Sequence, residues 1–385
     1  MAREEREGEG AGDLAGALRL IDEWIGASGP SGVGAVVWRQ GQIVAERYAG
    51  ETRPGLPVEA RTIFPLASVT KPVTAAVVMT LVEEGRFSLD EPVTRLVPEF
   101  RAGPSGDADG FDANLERLRP TVSVRQLLCH TSGLPENLGP RHGRNSEQVP
   151  LSEIIDAMCH LPLGFAPGSA LRYSNAGYGV ITRLVERVTG QDFWEVARRQ
   201  VLTPMRLRDT FARPDRALAS RIAELADASN PGTALESYNS DYWRGLALPW
   251  GGLYGTPRDL ARFAGAFLPS GAAGPLLLSP PSMALMTSDQ AGVAGGVESL
   301  KTTWEIAHWG LGWEVKGSKR RHWTGELTSP ATFCHFGAAG TLLWADPKHD
   351  IALAVFGNRA VARIWTSQLP RWARLSNAVI AAATR

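Results

Sequence analysis

The chain is poor in lysine, with five in 385 residues against 35 arginines. Arginine keeps its proton under all ordinary conditions, so few side chains here can act as an amine base, and a lysine in an apolar setting calls for a reason. Cysteine is as scarce. Cys129, Cys159 and Cys334 are an odd, scattered set, which argues against a disulfide framework. Cys129-His130 and Cys159-His160 hint at metal ligation, but adjacent side chains point apart on any regular element, and neither C-x-x-C nor H-E-x-x-H accompanies them. Buried free thiols are expected, and neither metal nor organic cofactor. Net charge is missing too: Lys+Arg and Asp+Glu both number 40, leaving no global field to draw nucleic acid or an anionic membrane. No run approaches the roughly 18 apolar residues of a membrane span; "AAVVMTLV" (75–82) is the densest. The first twelve residues, "MAREEREGEGAG", lack the apolar stretch of a secretory leader and read as a disordered tail, so a cytoplasmic location is expected.

What is present suits a globular protein, with 44% hydrophobic residues. Leu14, Leu18, Ile21 and Ile25 recur at helical spacing after Asp13, the pattern of an amphipathic helix capped by a carboxylate. "VGAVVWRQGQIVAERYAG" (33–50) reads as an antiparallel hairpin turning at Gln40-Gly41. Residues 331–358 read as two apolar strands around an Asp-Pro turn, followed by a closing helix near Leu369 to Ala383. Residues 86–245 carry helical periods broken by Pro and Gly, with almost no strand signal. The expected fold is α/β (α+β): an antiparallel sheet built from both chain ends with flanking helices, and a largely helical inserted lobe. Residues 13–385 would form one unit, with 13–85 and 246–385 as the α/β region and 86–245 as the insertion.

One stretch joins chemistry to this frame: "FPLASVTKPVTAAV" (64–77). Proline is tolerated only in the first turn of a helix, so Pro72 places the helix start at Ser68 or Val69. The helix then runs through Val73, Val77, Val78 and Leu81 to a stop at Gly85. Ser68 lands where free N–H groups favour negative charge, and Lys71, three residues on, shares its face. A buried lysine loses affinity for its proton, and a serine hydroxyl needs such a base to become a nucleophile. An N-capping serine beside a snorkelling lysine is the plain alternative, and one S-x-x-K pair does not decide between them. In "PGSALRYSNAGYGVITRLVERVTG" (167–190), Tyr173 offers a phenol to pass a proton and Asn175 an amide to hold an amine or a carbonyl; a tyrosine packed at a helix entry is the alternative. In "CHFGAAGT" (334–341), glycine and alanine near a strand permit close approach of a ligand to the backbone. No serine sits in G-x-S-x-G, and no histidine has an evident serine and acid partner.

With these stretches in hand, the chain resembles the serine β-lactamase and penicillin-binding-protein superfamily. Within it the resemblance is to class C β-lactamases and, more narrowly, to family VIII carboxylesterases. The markers stand in family order: "FPLASVTK", "LLCHTSGL" (127–134), "RYSNAGYG", "WGGLYGTPRDLARF" (250–263), "GLGWEV" (310–315) and "HFGAAGTLLWADP" (335–347). The resemblance implies Ser68 as the acylated nucleophile, Lys71 as its base, Tyr173 as the proton relay and Asn175 as an orienting amide. It implies an oxyanion hole from the N–H groups of Ser68 and Ala338, and a substrate cleft reached by His335, Gly337 and Trp250, the last as an apolar wall. The β-lactamases usually carry K-T-G where this chain has His335-Phe336-Gly337, the H-x-G form of the esterases. Without that lysine no fixed charge greets a substrate carboxylate, so a small neutral ester is the expected partner. Lys301-Thr302-Thr303 and "HWTG" (322–325) are decoys for the missing motif. A β-lactamase, a D-amino-acid peptidase or amidase, an acyltransferase, and a sensor that is acylated without turnover remain the alternatives.

Overall fold

The computed structural model describes residues 11–26, 28–106, 108–138, 147–273 and 277–385. Residues 1–10, most of the expected tail, lie outside them. Seven strands form one antiparallel sheet: β1 (Gly32–Arg39), β2 (Gln42–Arg53), β3 (Leu56–Pro57), β4 (Glu314–Val315), β5 (Phe333–Gly337), β6 (Thr341–Asp346) and β7 (Ile351–Gly357). Their spatial order is β4-β5-β6-β7-β1-β2-β3. The two chain ends meet in the middle, Val33 pairing with Gly357 and Arg39 with Ile351. The β1–β2 hairpin turns at Gln40-Gly41, where φ is 49° and 79°. Two successive left-handed residues give the turn whose twist matches that of the strands.

Alternation along the strands sorts two cores. On one face Val33, Ala35 and Val37 of β1 join Leu353 and Val355 of β7 and Leu342 and Trp344 of β6. On the other, Val36 and Trp38 join Ala352, Ala354, Phe356, Leu343 and Ala345. With both faces covered, β1, β6 and β7 are apolar at nearly every position. The first face is covered by α1 (Ala11–Leu18) and by α5 (Val361–Ala383), which supplies Trp372, Leu375 and Val379. The second packs against α2 (Thr70–Glu83) and α4 (Pro257–Gly265), and beyond them lies α3 (Asn175–Thr189).

Three elements differ from their sequence-based outline. The helix α1 opens at Ala11, so Asp13 lies inside it rather than ahead of it as a cap. The stretch 331–358 makes three strands, because Ala338–Gly340 form a turn, with Gly340 at φ 92°, that sends β6 back along β5. An all-apolar run hides such a turn from any pattern of alternation. The closing helix starts at Val361, breaks at Ile364 and then carries Pro370 inside it, because its buried stripe on the sheet outweighs the missing N–H.

Between residues 86 and 245 the described strands are two residues long, Leu171–Arg172 and Thr210–Phe211. Both are fastened to the α/β part. Thr210–Phe211 pairs with Tyr254–Gly255, which pairs with Phe64–Pro65; Leu171–Arg172 pairs with Gly295–Val297, which pairs with Thr302–Trp304. Phe64–Pro65 leads into Ser68 and Leu171–Arg172 into Tyr173, so these clamps fix the two reactive segments relative to each other. No described helix is long and apolar enough to cross a membrane.

Candidate active site

Ser68 stands in a tight 3-10 turn, Ala67–Val69, ahead of α2. The preceding Ala67 holds φ at 47°, a left-handed conformation uncommon for a residue with a side chain. Such local strain is retained where surrounding contacts enforce it. Here the main chain is pinned on both sides: the Leu66 N–H donates to the Leu253 carbonyl at 2.8 Å and Thr341 Oγ1 donates to the Leu66 carbonyl at 2.9 Å. Ser68 is half-buried, while Lys71, one turn on, is fully buried. At its far end α2 stops on Gly85 with φ 69°, where the Arg86 N–H donates to the Leu81 carbonyl and the Gly85 N–H to that of Val82.

Lys71 Nζ lies 3.1 Å from Ser68 Oγ, 2.7 Å from Asn175 Oδ1 and 2.7 Å from the Trp250 carbonyl oxygen. The last two can only accept, so a neutral amine spends both its hydrogens on them and keeps its lone pair for the Ser68 hydroxyl. Asn175 is held in this sense by Asn137, whose Oδ1 accepts from Asn175 Nδ2 at 2.8 Å. Burial pushes the Lys71 ammonium well below its ordinary pKa, and the Glu136 carboxylate opposes the shift without overcoming it. Glu136 is itself buried and accepts from the Ser299 N–H at 3.0 Å.

Tyr173 presents its ring 4.7 Å from Lys71 Nζ. Burial holds its phenol well above the usual pKa, with Ser68 a smaller influence in the other direction. The Ser68 hydroxyl approaches the Tyr173 Oη without meeting the geometry of a full hydrogen bond, and among the described residues that oxygen has no other partner. The residue ends the short strand Leu171–Arg172, and Ser174 then caps α3 by accepting from the Gly177 N–H at 2.9 Å, which sets Asn175 at the first turn. Around Tyr173 lie three more rings: His130 at 4.6 Å, Trp309 at 5.8 Å and His335 at 6.0 Å between centroids. His130 Nδ1 accepts from the Ser174 N–H at 3.0 Å, which puts its proton on Nε2. His335 Nδ1 donates to the Phe336 carbonyl at 2.7 Å, which leaves a lone pair on Nε2. Among the described residues neither Nε2 atom has a partner. Burial, then the nearby Lys71, keeps both rings neutral, His130 well below its usual value and His335 pushed down to about 3.

Gly337 abuts the nucleophile turn so closely that an added Cβ would fall 2.2 Å from the Leu66 oxygen and 3.1 Å from the Ala67 Cβ. The strand end therefore runs beside Leu66–Ala67, and Ala338 follows, exposed in the turn after β5. Trp250 contributes to the site through its carbonyl; its ring is 4% exposed and belongs to the main core rather than to an open wall. Lys301 of the decoy is exposed in the turn before Thr302–Trp304. His322 of the other lies behind the site with Glu314, Lys319 and Cys334. Ligand atoms of Glu314, His322 and Cys334 lie within 4.8 Å of one another, but Lys319 Nζ sits 2.6 Å from Glu314 Oε1, so an ammonium already matches that charge. All three cysteines are free and buried.

Three residues near the site escaped sequence reasoning. His130 lies inside "LLCHTSGL", where nothing in the local sequence relates it to Tyr173. Glu136 and Trp309 carried no local signal, since their relation to Tyr173 is made by loops that come together only in the fold.

Comparison with known proteins agrees with this frame. The family model of the β-lactamases matches residues 19–371. Esterase EstB of Burkholderia gladioli is 33% identical over 307 residues, covering 72% of this chain and 74% of that protein. Penicillin-binding protein 4 of Amycolatopsis lactamdurans is 30% identical over 327 residues, covering 82% and 77%. The crystal structure of a penicillin-binding-protein homologue from Caulobacter crescentus superposes with a TM-score of 0.76 at 23% identity, covering 96% of this chain and 98% of that one, a likeness of fold. With a family-wide match on nearly its whole length and a lysine amine facing a serine hydroxyl at the head of a buried helix, the chain belongs to the β-lactamase family, within the serine β-lactamase and penicillin-binding-protein superfamily.

Proposed function

We propose that the protein is a serine carboxylesterase that hydrolyses small or short-chain esters through a covalent acyl-enzyme. The observation that carries this reading is the hydrogen-bond count at Lys71: two acceptors take its hydrogens and its lone pair is left for Ser68. Ser68 Oγ attacks the ester carbonyl carbon while its proton passes to Lys71 Nζ. The carbonyl electron pair moves onto oxygen, where the N–H groups of Ser68 and Ala338 receive it. Collapse expels the alkoxide, which takes the Tyr173 proton, and the Lys71 ammonium returns a proton to Tyr173. Water repeats the sequence in reverse to free the acid. The high pKa of Tyr173 suits a proton donor and the low one of Lys71 a proton acceptor.

Substrate class follows from charge. His335 and His130 face the site uncharged, and Lys71 is neutral in its working form, so nothing at the site rewards a substrate carboxylate. This favours a neutral ester over a β-lactam or a peptide C-terminus, and His335 with Gly337 would border the bound carbonyl. EstB, an esterase among the relatives, points the same way. Ser68→Ala should lower turnover of p-nitrophenyl acetate by at least about 10⁴-fold while leaving the fold intact. Comparable rates in that variant, or wild-type turnover of a chromogenic cephalosporin faster than of the ester, would overturn the reading.

A further inference from the structure

We propose a second binding site, remote from Ser68, for a small organic anion that carries a flat apolar group, such as an aryl sulfonate, phosphate or carboxylate. It lies in a cavity of about 620 Å³ between the helical stretch from Phe193 to Leu202 and the strand Thr210–Phe211. That volume is in the range of small-molecule pockets. Its lining shares no residue with Ser68, Lys71, Tyr173 or their hydrogen-bond partners.

The charge of the lining selects the ligand. Arg198, Arg206, Arg208 and Arg213 face two carboxylates, Asp192 and Glu195, so four minus two leaves a surplus of two positive charges in a chain whose net charge is zero. Arg213 is 3.6 Å from Asp192 and is spoken for. Among the described residues the guanidinium groups of Arg198, Arg206 and Arg208 have neither a hydrogen-bond nor an ion-pair partner, whereas Arg216 and Arg221 nearby are paired with Asp241 and Asp209. Guanidinium forks match the oxygens of phosphate, sulfonate and carboxylate, and a concave wall concentrates their field.

The apolar part is supplied by the half-buried Phe211 and Ala212, while Trp194, which also lines the cavity, is 5% exposed and belongs to the main core. The Trp194 ring is fixed by its Nε1 donating to the Ala247 carbonyl at 2.6 Å, and Phe211 by its strand pairing with Tyr254. The backbone that carries the arginines is unusual in two places: Arg198–Leu202 is a π-helical turn, and Arg206 holds φ at 54°. A π-turn widens the helix and tilts its side chains from the regular α positions, a feature frequent at functional sites.

The test uses the full chain and isothermal titration calorimetry with 2-naphthalenesulfonate, with 2-naphthol as the uncharged control. Wild type should bind one sulfonate per chain and bind the naphthol more weakly. Arg206→Glu with Arg208→Glu should weaken the sulfonate at least about tenfold. Arg95→Glu with Arg101→Glu, which changes the net charge equally elsewhere, should leave it unchanged, and a melting curve near that of wild type in each variant shows that the fold is kept. Equal affinity in wild type and the Arg206/Arg208 variant, equal loss in both double variants, or no saturable binding would each overturn the proposal.

Discussion

Lys71 illustrates how little of a residue's chemistry belongs to the residue. An exposed lysine is a cation at neutral pH; this one is sealed behind Ser68 with two fixed acceptors, and burial makes the charged form the costly one. The sign for activity follows. Below its lowered pKa Nζ is protonated and has no lone pair, so kcat/KM for a neutral ester should fall on the acid side and rise to a plateau as pH passes that pKa, well below the 10.5 of a free lysine. Lys71→Arg keeps a cation and removes the titration. It should lower kcat by on the order of 10³-fold and abolish the acid limb of the profile. A pH–rate curve for both proteins checks this; an Arg variant that retains wild-type rates would show that Lys71 is not the base.

At the scale of elements, the site depends on a close approach between two pieces of chain nearly 270 positions apart, the turn Leu66–Ser68 and the end of β5. Gly337 makes this approach possible, since any Cβ there would overlap the Leu66 oxygen and Thr341 Oγ1, at 2.2 Å and 2.3 Å. The clash with the Leu66 oxygen is with backbone and cannot be relieved by a rotamer change. Gly337→Ala should therefore push β5 off the nucleophile turn, costing about 1–3 kcal/mol of stability together with a loss of ester turnover larger than the loss of folded protein. Urea denaturation set beside kcat separates the two effects. The helices and hairpin of this frame were legible in the sequence because each has a local signature, as Pro72 and Gly85 bracket α2 and Gln40-Gly41 bends β1 into β2. The turn at Ala338–Gly340 and the opening of α5 were not, because neighbours in an all-apolar run look alike whether they continue or reverse.

For the whole molecule, the wall of the site rests on a buried charge cluster. Lys319 Nζ bonds Glu314 Oε1 at 2.6 Å, His322 Nε2 reaches the same oxygen at 3.1 Å, and the ammonium lies 4.3 Å and 5.3 Å from the ring centroids of Trp304 and Trp309. Burial pushes the Glu314 carboxyl up, but Lys319 and His322 outweigh it and hold it below its ordinary value. Its contribution to stability is thus present above the usual carboxylate pKa and is lost as pH falls through the lowered one. Lys319→Met leaves a buried carboxylate unmatched and should cost about 3–5 kcal/mol, while adding Glu314→Gln should recover much of the loss. Equal stability of the single variant and wild type in urea would mean that the pair contributes nothing. Trp309 links this cluster to Tyr173, at 5.8 Å, so the single variant should also disturb the phenol.

The sequence by itself determined the helix that starts at Pro72's first turn, the serine and lysine one turn apart at its head, and the sheet drawn from both ends of the chain, because spacing, proline and glycine act over a few residues. Only the tertiary structure decided that Asn175 and the Trp250 carbonyl, 104 and 179 positions away from Lys71, take the hydrogens of its amine. It alone fixed opposite tautomers on His130 and His335 and brought the arginines around Trp194 together. Charge state, tautomer and field depend on distance in space and on the exclusion of water, and neither is written in the order of the residues.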